Sequence, residues 1–272
     1  MNRDRFPPLP AGKGPALCLD SVHFAHRVFG NDIERWFDGS SMTYLMGQAC
    51  QLLQPEAVIV PLLDWIQAKW SGDIGALPFA TRPGKVLDQA FQREELRSHL
   101  SDLLRALAPA TRSAPAVALG IAPLEAWLRW AGGDVDAQLD EADAEDVCVY
   151  LAALFNHLPP DAVEGLCLFV DHGVDGDCDI AYEPLLNAAR HFDWPVLAAA
   201  AGNVALPRGC AAYARSVPAN AEAMLLDARQ WDGSMAQPQV SLIVSTIPVE
   251  WTAAQAMEFV AKLRESAVQD PQ

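Results

Sequence analysis

Short apolar runs alternate with longer amphipathic segments along the chain. In the longer segments, apolar residues recur three and four positions apart, which is the period of a helix with one buried side. This alternation predicts repeated βα units and a parallel sheet. Seven runs have the length and the apolar content of buried strands: Ala16 to Leu19, Ala57 to Pro61, Ala116 to Gly120, Leu166 to Asp171, Pro195 to Ala200, Ala223 to Asp227 and Val240 to Ser245.

Five segments carry the helical period, and their ends agree with known start and stop signals. Thr252 can cap the last of them with its hydroxyl, and Pro109 and Pro159 follow two others, where a helix cannot easily continue. The predicted helices are Asp32 to Leu53, Lys85 to Ala108, Ala144 to His157, Tyr182 to Phe192 and Thr252 to Ser266.

The predicted strands are typical of a sheet that helices cover on both faces, because runs such as Gly165 to Val170 are apolar throughout. The sequence contains neither GxGxxG nor GxxxxGKS/T, one of which a nucleotide-binding doubly wound sheet requires. We therefore predict a single (β/α)8 TIM-like barrel. Only one strand is evident after Asp227, so one βα unit is predicted to be missing or distorted. Residues 1–15 are an N-terminal extension in this prediction, and residues 16–272 form the barrel domain.

Composition narrows the choice of partners. The chain has 272 residues, 51% of them hydrophobic, which suffices for a substantial core. Its 19 Lys and Arg stand against 35 Asp and Glu, a net charge of −16 that repels nucleic acids and anionic lipid. No apolar stretch approaches the roughly 20 residues of a membrane span, and no secretory signal is evident. Its six scattered cysteines form no CxxC pair. We expect a cytoplasmic protein with a small-molecule substrate, and neither nucleic acid nor a membrane as partner.

The candidate chemistry lies where the predicted strands end, because barrel active sites collect at the carboxyl ends of the strands. Asp171 and His172 stand at the end of a predicted apolar strand and form a carboxylate and imidazole pair suited to general acid and base catalysis. We predict Asp171, His172 and Asp64 as catalytic residues. The predicted substrate-binding residues are Asp20, His23, Asn203, Asp227, Arg229 and Thr246.

Each of these residues also has a purely structural interpretation. Asp171 and Asp64 could cap a loop and a helix, and His23 could lie on a solvated surface. Asp227 and Arg229 could form a surface ion pair of little energetic worth. The sequence alone leaves both interpretations open.

Other chemistries lack their motifs. The alternating acids Asp175, Asp177 and Asp179 have Leu186 where a calcium loop needs a bidentate Glu. The chain has no GxSxG nucleophile elbow. His172 and Cys178 are the only local hint of a metal site. We predict neither a metal nor a cofactor.

Three stretches stand in an order found in one enzyme superfamily: Ala57 to Asp64, Val117 to Pro123 continuing to Gly132-Gly133, and Tyr182 to Asn203. They resemble the second strand, the GxxGxPW…GG segment, and a later helix and strand of the uroporphyrinogen decarboxylase superfamily. That superfamily includes zinc-dependent methyltransferases that act on corrinoid proteins and thiols. The resemblance runs over roughly Ala57 to Ser266 and implies a (β/α)8 barrel, with a homodimer as a possible assembly.

The chain departs from that superfamily at its functional motifs. The methyltransferase branch holds zinc with His-x-Cys where this chain has Ala199 and Ala201, and its third ligand, a cysteine, falls near Ser245 to Pro248. The decarboxylase branch has an Arg-Gln-Ala-Gly-Arg signature, whose nearest counterpart here is Gly47 to Cys50. The usual zinc ligands and the arginine signature are therefore missing.

These observations leave three hypotheses. The first is a metal-free decarboxylase or other carbon–carbon lyase that acts on a small organic acid in the barrel mouth. The second is a divergent methyltransferase relative that acts with a corrinoid or thiol methyl acceptor, or that has relocated its metal, with His172 and Cys178 as candidate ligands. The third is a catalytically silent barrel that serves as a binding or regulatory subunit.

Overall fold

Eight parallel strands close into a barrel in this computed structural model. They are β1 (Ala16–Asp20), β2 (Ala57–Pro61), β3 (Ala116–Ile121), β4 (Gly165–Val170), β5 (Val196–Ala200), β6 (Ala212–Arg215), β7 (Ala223–Asp227) and β8 (Leu242–Thr246). Each strand pairs with the next in the chain, and β8 returns to pair with β1. The fold is the predicted (β/α)8 TIM-like barrel.

The structure describes residues 6–7, 15–30, 39–70, 83–110, 115–131, 139–171, 174, 176–201, 204–216, 223–228 and 240–265. Nine helices lie within these ranges: α1 (Val22–Phe29), α2 (Gly39–Leu53), α3 (Leu62–Trp70), α4 (Pro83–Phe91), α5 (Glu94–Ala110), α6 (Leu124–Trp130), α7 (Glu141–Phe155), α8 (Cys178–His191) and α9 (Ala253–Glu265). No helix in the described part of the chain is long and apolar enough to cross a membrane.

All seven predicted strands are confirmed. The one strand of the barrel that was not predicted is β6. The shortage was expected after Asp227, but the strand that the sequence did not reveal lies before it. This strand has four residues, of which only Ala214 is buried, so it lacks the apolar run of its neighbours. The described residues between β5 and β8 contain no helix.

The helix predictions need three corrections. The segment Lys85 to Ala108 forms two helices, α4 and α5, which a short break at Gln92 and Arg93 separates. Pro109 lies inside the last turn of α5, not beyond it. Three short helices, α1, α3 and α6, follow β1, β2 and β3 almost directly and were not predicted. They are seven to nine residues long, too short for the helical period to be recognised.

The barrel interior is packed with small side chains. Residues two apart in a strand share a face, and the inward set includes Ala16, Cys18, Ala118, Ala199 and Ala214. Larger side chains of the same strands point outward, where the helices cover them. The polar residues at the ends of the inward-facing series therefore border the barrel mouth.

The opposite end of the barrel is filled from the N-terminal segment. Phe6 is 3% exposed and belongs to the cluster of residues inside the barrel. Its ring lies against Gly165, the first residue of β4, where any Cβ atom would collide with the ring. The aromatic ring therefore occupies space that the surrounding alanines leave open.

Candidate functional site

Three neighbouring strands bring polar side chains to the inner face of the barrel mouth. Asp227, Thr246 and Asp20 end β7, β8 and β1, and the strand register pairs Thr246 with both aspartates. The residue two positions earlier in each strand belongs to the cluster inside the barrel. Because side chains alternate along a strand, all three polar residues belong to the inward-facing series.

His23 and Asp64 meet beside Asp20. His23 lies in the first turn of α1, which begins only one residue after β1 ends, and Asp64 lies in the first turn of α3, directly after β2. Because β1 and β2 are neighbours, these two helix starts lie side by side. The His23 Nε2 and Asp64 Oδ2 atoms are 3.0 Å apart, and the side chains are 42% and 43% exposed.

The Asp20 carboxyl is held by its own chain. Its Oδ1 atom accepts a hydrogen bond from the backbone N–H of Val22 at 3.4 Å, the kind of contact that favours a helix start. The backbone carbonyl of Asp20 accepts from the N–H of Ile247 at 2.8 Å. Within the described residues, Oδ2 receives no hydrogen bond. One oxygen of the carboxylate is thus available to a bound molecule.

A cavity of about 340 Å³ opens over β1 to β4. Asp20 and Asp64 line it, whereas His23 is not among its described lining residues. This volume suits a small organic molecule. Its polar lining residues are Asp20, Asp64, Gln67 and Thr246, and its other lining residues are Pro61, Leu62, Leu63, Gly120, Ala122, Pro123, Ala126 and Phe169. An apolar wall with a few polar groups on one side is typical of a ligand pocket.

The electrostatic state of Asp20 is set mainly by its burial. The residue is 7% exposed, and the loss of solvation raises its pKa to about 6. His23 opposes this rise by its positive charge, Asp64 adds to it by repulsion, and the Val22 N–H opposes it. A carboxyl group in this state holds or releases a proton near neutral pH.

The pKa of His23 is raised, whereas burial alone would lower the pKa of a histidine. Its hydrogen bond to Asp64 raises its pKa, and the charges of Asp20 and Asp64 act in the same direction, whereas desolvation lowers it. The imidazolium form is therefore favoured beside the two carboxylates. This arrangement joins a proton-holding carboxyl to an imidazole whose orientation Asp64 fixes.

Four of the predicted site residues come together here: Asp20, His23, Asp64 and Thr246. Asp227 belongs to the same inner face beside Thr246 but does not line the cavity. Asp171 is exposed just beyond β4 and does not line the cavity either. His172, Asn203 and Arg229 lie outside the described residues.

Sequence reasoning missed the residues that give the cavity its shape. Phe169 was seen only as part of an apolar strand, although it stands on the inner face two residues after Cys167. Gly120 was assigned to a strand end, yet a Cβ atom there would lie 2.6 Å from Ile59 Cγ2. The available signal was that alternate residues of β3 and β4 share one face. The sequence alone does not say which of the two faces lies inside the closed barrel.

The two positions at which the resemblance places zinc ligands of a methyltransferase carry no ligand atom. Ala199 is buried inside the barrel in β5, and Ala201 is exposed just past the end of that strand. Cys178 starts α8, where burial raises its pKa to about 11, and its Sγ contacts the Ala205 carbonyl. Among the described residues, no three His, Cys, Asp or Glu side chains converge as a metal site.

Comparison with known proteins gives little beyond this geometry. No protein-family model matches the sequence, and no curated protein is similar to it. Among solved structures, the apo form of the homocysteine methyltransferase MmuM from Escherichia coli is similar with a TM-score of 0.33 and 10% sequence identity. The match covers 93% of this chain and 96% of that chain. A similarity this distant bears on neither substrate nor mechanism.

Proposed function

We propose that this protein is an enzyme that transfers a proton to or from a small molecule bound in the barrel-mouth cavity. In this proposal Asp20 donates and accepts the proton, and the hydrogen-bonded pair of His23 and Asp64 lies beside it. The observation that carries the proposal is the Asp20 carboxyl itself, which is 7% exposed yet borders the cavity with one oxygen unpaired in the described residues.

Asp20 suits proton transfer because neither of its charge states is strongly disfavoured near neutral pH. Burial raises its pKa to about 6, and an acid and base group is most effective when its pKa lies close to the working pH. The contact with the Val22 N–H occupies one oxygen, and the other receives no hydrogen bond from the described residues. This arrangement supports Asp20 as the group that touches the substrate.

His23 and Asp64 have distinct parts in the proposal. The 3.0 Å contact between Nε2 and Oδ2 orients the imidazole ring and favours its protonated form. A protonated His23 does not line the cavity, and its positive charge stabilises the ionised form of Asp20. Asp64 acts through His23, so we assign it as a positioning residue.

Lyase and isomerase reactions both need such a site. In carbon–carbon cleavage, the electron pair left on carbon takes a proton from an acid, and in isomerisation a base removes a proton that is returned elsewhere. The sequence predicted a small organic acid as substrate. The two carboxylates in the described lining repel a third, so the proposal keeps the proton transfer and does not specify an acid.

We do not build the proposal on zinc-dependent methyl transfer, because Ala199 and Ala201 stand where the resemblance places its ligands and His172 of the alternative metal pair lies outside the described residues. The silent-barrel hypothesis differs from ours in an observable way. A silent barrel exchanges no protons with any bound molecule, whereas our proposal requires exchange that depends on Asp20.

Incorporation of solvent deuterium tests the proposal without a known substrate. The protein is incubated in D2O with a library of small metabolites, and mass spectrometry detects molecules that gain one deuterium. In the exchange reaction, the Asp20 carboxylate takes a proton from carbon, the resulting carboxylic acid exchanges that proton for a deuteron of the solvent, and the acid then returns the deuteron to the same carbon. We expect the wild type to label at least one compound and Asp20→Asn to label it at least 100-fold more slowly.

Two further variants sharpen this test. Asp64→Asn should slow labelling less than Asp20→Asn does, since Asp64 acts through His23. Asp161→Asn is the matched control, because Asp161 is an exposed aspartate in the loop before β4, at the opposite end of the barrel. Labelling that persists at the wild-type rate in Asp20→Asn, or no labelling of any compound, contradicts the proposal.

A further inference from the structure

The charges around the cavity point to a class of ligand. Asp20 and Asp64 are the charged residues among its described lining, which contains neither lysine nor arginine. Asp227 stands on the same inner face, one strand beyond Thr246. A molecule that enters from solvent therefore meets carboxylates at the β1 and β2 side of the mouth.

His23 does not neutralise this charge. Its Nε2 atom is already within 3.0 Å of Asp64, so even a protonated imidazole balances one carboxylate and leaves the charge of Asp20. The whole chain carries a net charge of −16, which raises the local concentration of cations. Both the local and the overall field disfavour an anion in the cavity.

Asp20 supplies the specific contact. It is nine-tenths or more buried, it lines the cavity, and its Oδ2 atom receives no hydrogen bond within the described residues. An ammonium group satisfies such an oxygen with a charge-assisted hydrogen bond, which is stronger than one from a neutral donor. A buried carboxylate oxygen that receives no hydrogen bond is otherwise costly.

The rest of the lining suits the organic part of such a ligand. Phe169 offers an aromatic ring, and Leu62, Leu63 and Pro123 offer aliphatic surface. An aromatic face attracts a cation as well as apolar carbon. The cavity of about 340 Å³ accepts a molecule with one ring.

From this juxtaposition we infer that the cavity binds a small organic amine in its protonated form, with the ammonium group on the Oδ2 atom of Asp20 and the apolar part against Phe169. The inference names the substrate class and rests on the proposed function for its catalytic meaning. The binding itself does not depend on turnover.

Binding of matched probes tests the inference. Benzylamine, benzyl alcohol and benzoate share one ring and differ in charge, and protein-observed NMR gives their affinities at about pH 8. We expect benzylamine to bind at least about tenfold more tightly than benzyl alcohol, because one charge-assisted hydrogen bond contributes about that much. Benzoate should bind more weakly than both.

Variants locate the contact. Asp20→Asn keeps the shape of the side chain and should reduce the affinity for benzylamine to that for benzyl alcohol, while Asp161→Asn should retain the wild-type preference. Asp64→Asn retains Asp20, so it should keep part of the preference for the amine. Equal or tighter binding of benzoate, or a benzylamine affinity that Asp20→Asn leaves unchanged, overturns the inference.

The two proposals fail separately. Deuterium exchange that depends on Asp20 but occurs only on neutral or anionic compounds refutes the amine and leaves the proton transfer standing. A benzylamine preference that depends on Asp20, without exchange on any compound, refutes the enzyme and leaves a binding protein for amines.

Discussion

Asp20 combines two properties that usually exclude each other, burial and charge. An unfolded aspartate has a pKa of about 3.9, whereas burial raises the pKa of Asp20 to about 6. Below about pH 4 the carboxyl is protonated in both the folded and the unfolded chain. As the pH rises from about 4 to about 6, the unfolded chain ionises this carboxyl while burial opposes its ionisation in the folded protein, so stability is lost over this range.

This cost predicts that Asp20→Asn stabilises the protein in a pH-dependent way. The free energy of unfolding of the variant should exceed that of the wild type by about 3 kcal/mol above the folded-state pKa, and the difference should shrink as the pH falls toward 4. Urea denaturation of both proteins at about pH 5 and pH 8 measures it. If the difference in free energy of unfolding between Asp20→Asn and the wild type is the same at both pH values, the carboxyl is solvated and not buried in the mouth.

Gly120 makes space for the cavity by having no side chain. Its Cβ atom would lie 2.6 Å from Ile59 Cγ2 and 3.3 Å from the Val60 carbonyl, within a packed strand pair. Gly120→Ala should therefore lower the free energy of unfolding by about 1 to 3 kcal/mol and weaken the binding of benzylamine.

Gly47→Ala is the matched control for that substitution. Gly47 lies in α2, and nothing lies within 4 Å of the position of its Cβ atom. Alanine is the better helix former, so this variant should gain about 0.5 to 1 kcal/mol in stability. If both glycine variants change stability alike, the contact with Ile59 has no structural meaning.

Among the larger elements, the N-terminal segment has an unexpected part in the barrel. Phe6 fills the end opposite the mouth, against Gly165 at the start of β4. Because the inward side chains there are mostly alanine, no neighbour can fill the space when the ring is removed.

Phe6→Ala should therefore lower the free energy of unfolding by about 3 kcal/mol or more. Urea denaturation measures this loss, and Tyr44→Ala serves as the control, because Tyr44 is 63% exposed on α2 and its loss should change stability by less than about 0.5 kcal/mol. A Phe6→Ala variant as stable as the control would show that the ring does not support the barrel.

The elements also show what sequence could and could not predict. Continuous apolar runs such as Val58 to Val60 identified buried parallel strands, because helices cover both faces of the sheet. β6 was not predicted because only one of its four residues is buried. α1 was not predicted because its eight residues cover barely two turns. Local pattern fails where an element is stabilised by its neighbours and not by its own sequence.

For the site, the order of strands decided which candidates meet. Asp20, His23 and Asp64 were all predicted as site residues, but their contact follows from the adjacency of β1 and β2, which the residues do not state. Asp171 was predicted from its place at the end of β4, yet it is exposed and is not among the described lining residues of the cavity. A strand end positions a residue near the mouth, and the following turn decides where its side chain goes.

In the whole molecule, closure of the barrel creates the chemistry. The pairing of β8 with β1 brings Thr246 beside Asp20, and α1 and α3 return His23 and Asp64 to the same edge. A buried carboxyl, an oriented imidazole and an apolar wall are then assembled from segments that are distant in sequence. The central claim is that this assembly holds a proton near neutral pH.

A carbon-13 NMR titration of the aspartate carboxyl groups tests that claim most directly. The resonance that disappears in Asp20→Asn identifies the group, and its chemical shift is followed as the pH is raised. The account predicts a titration midpoint near 6 for Asp20. A midpoint near 4, as for a solvated aspartate, would contradict it.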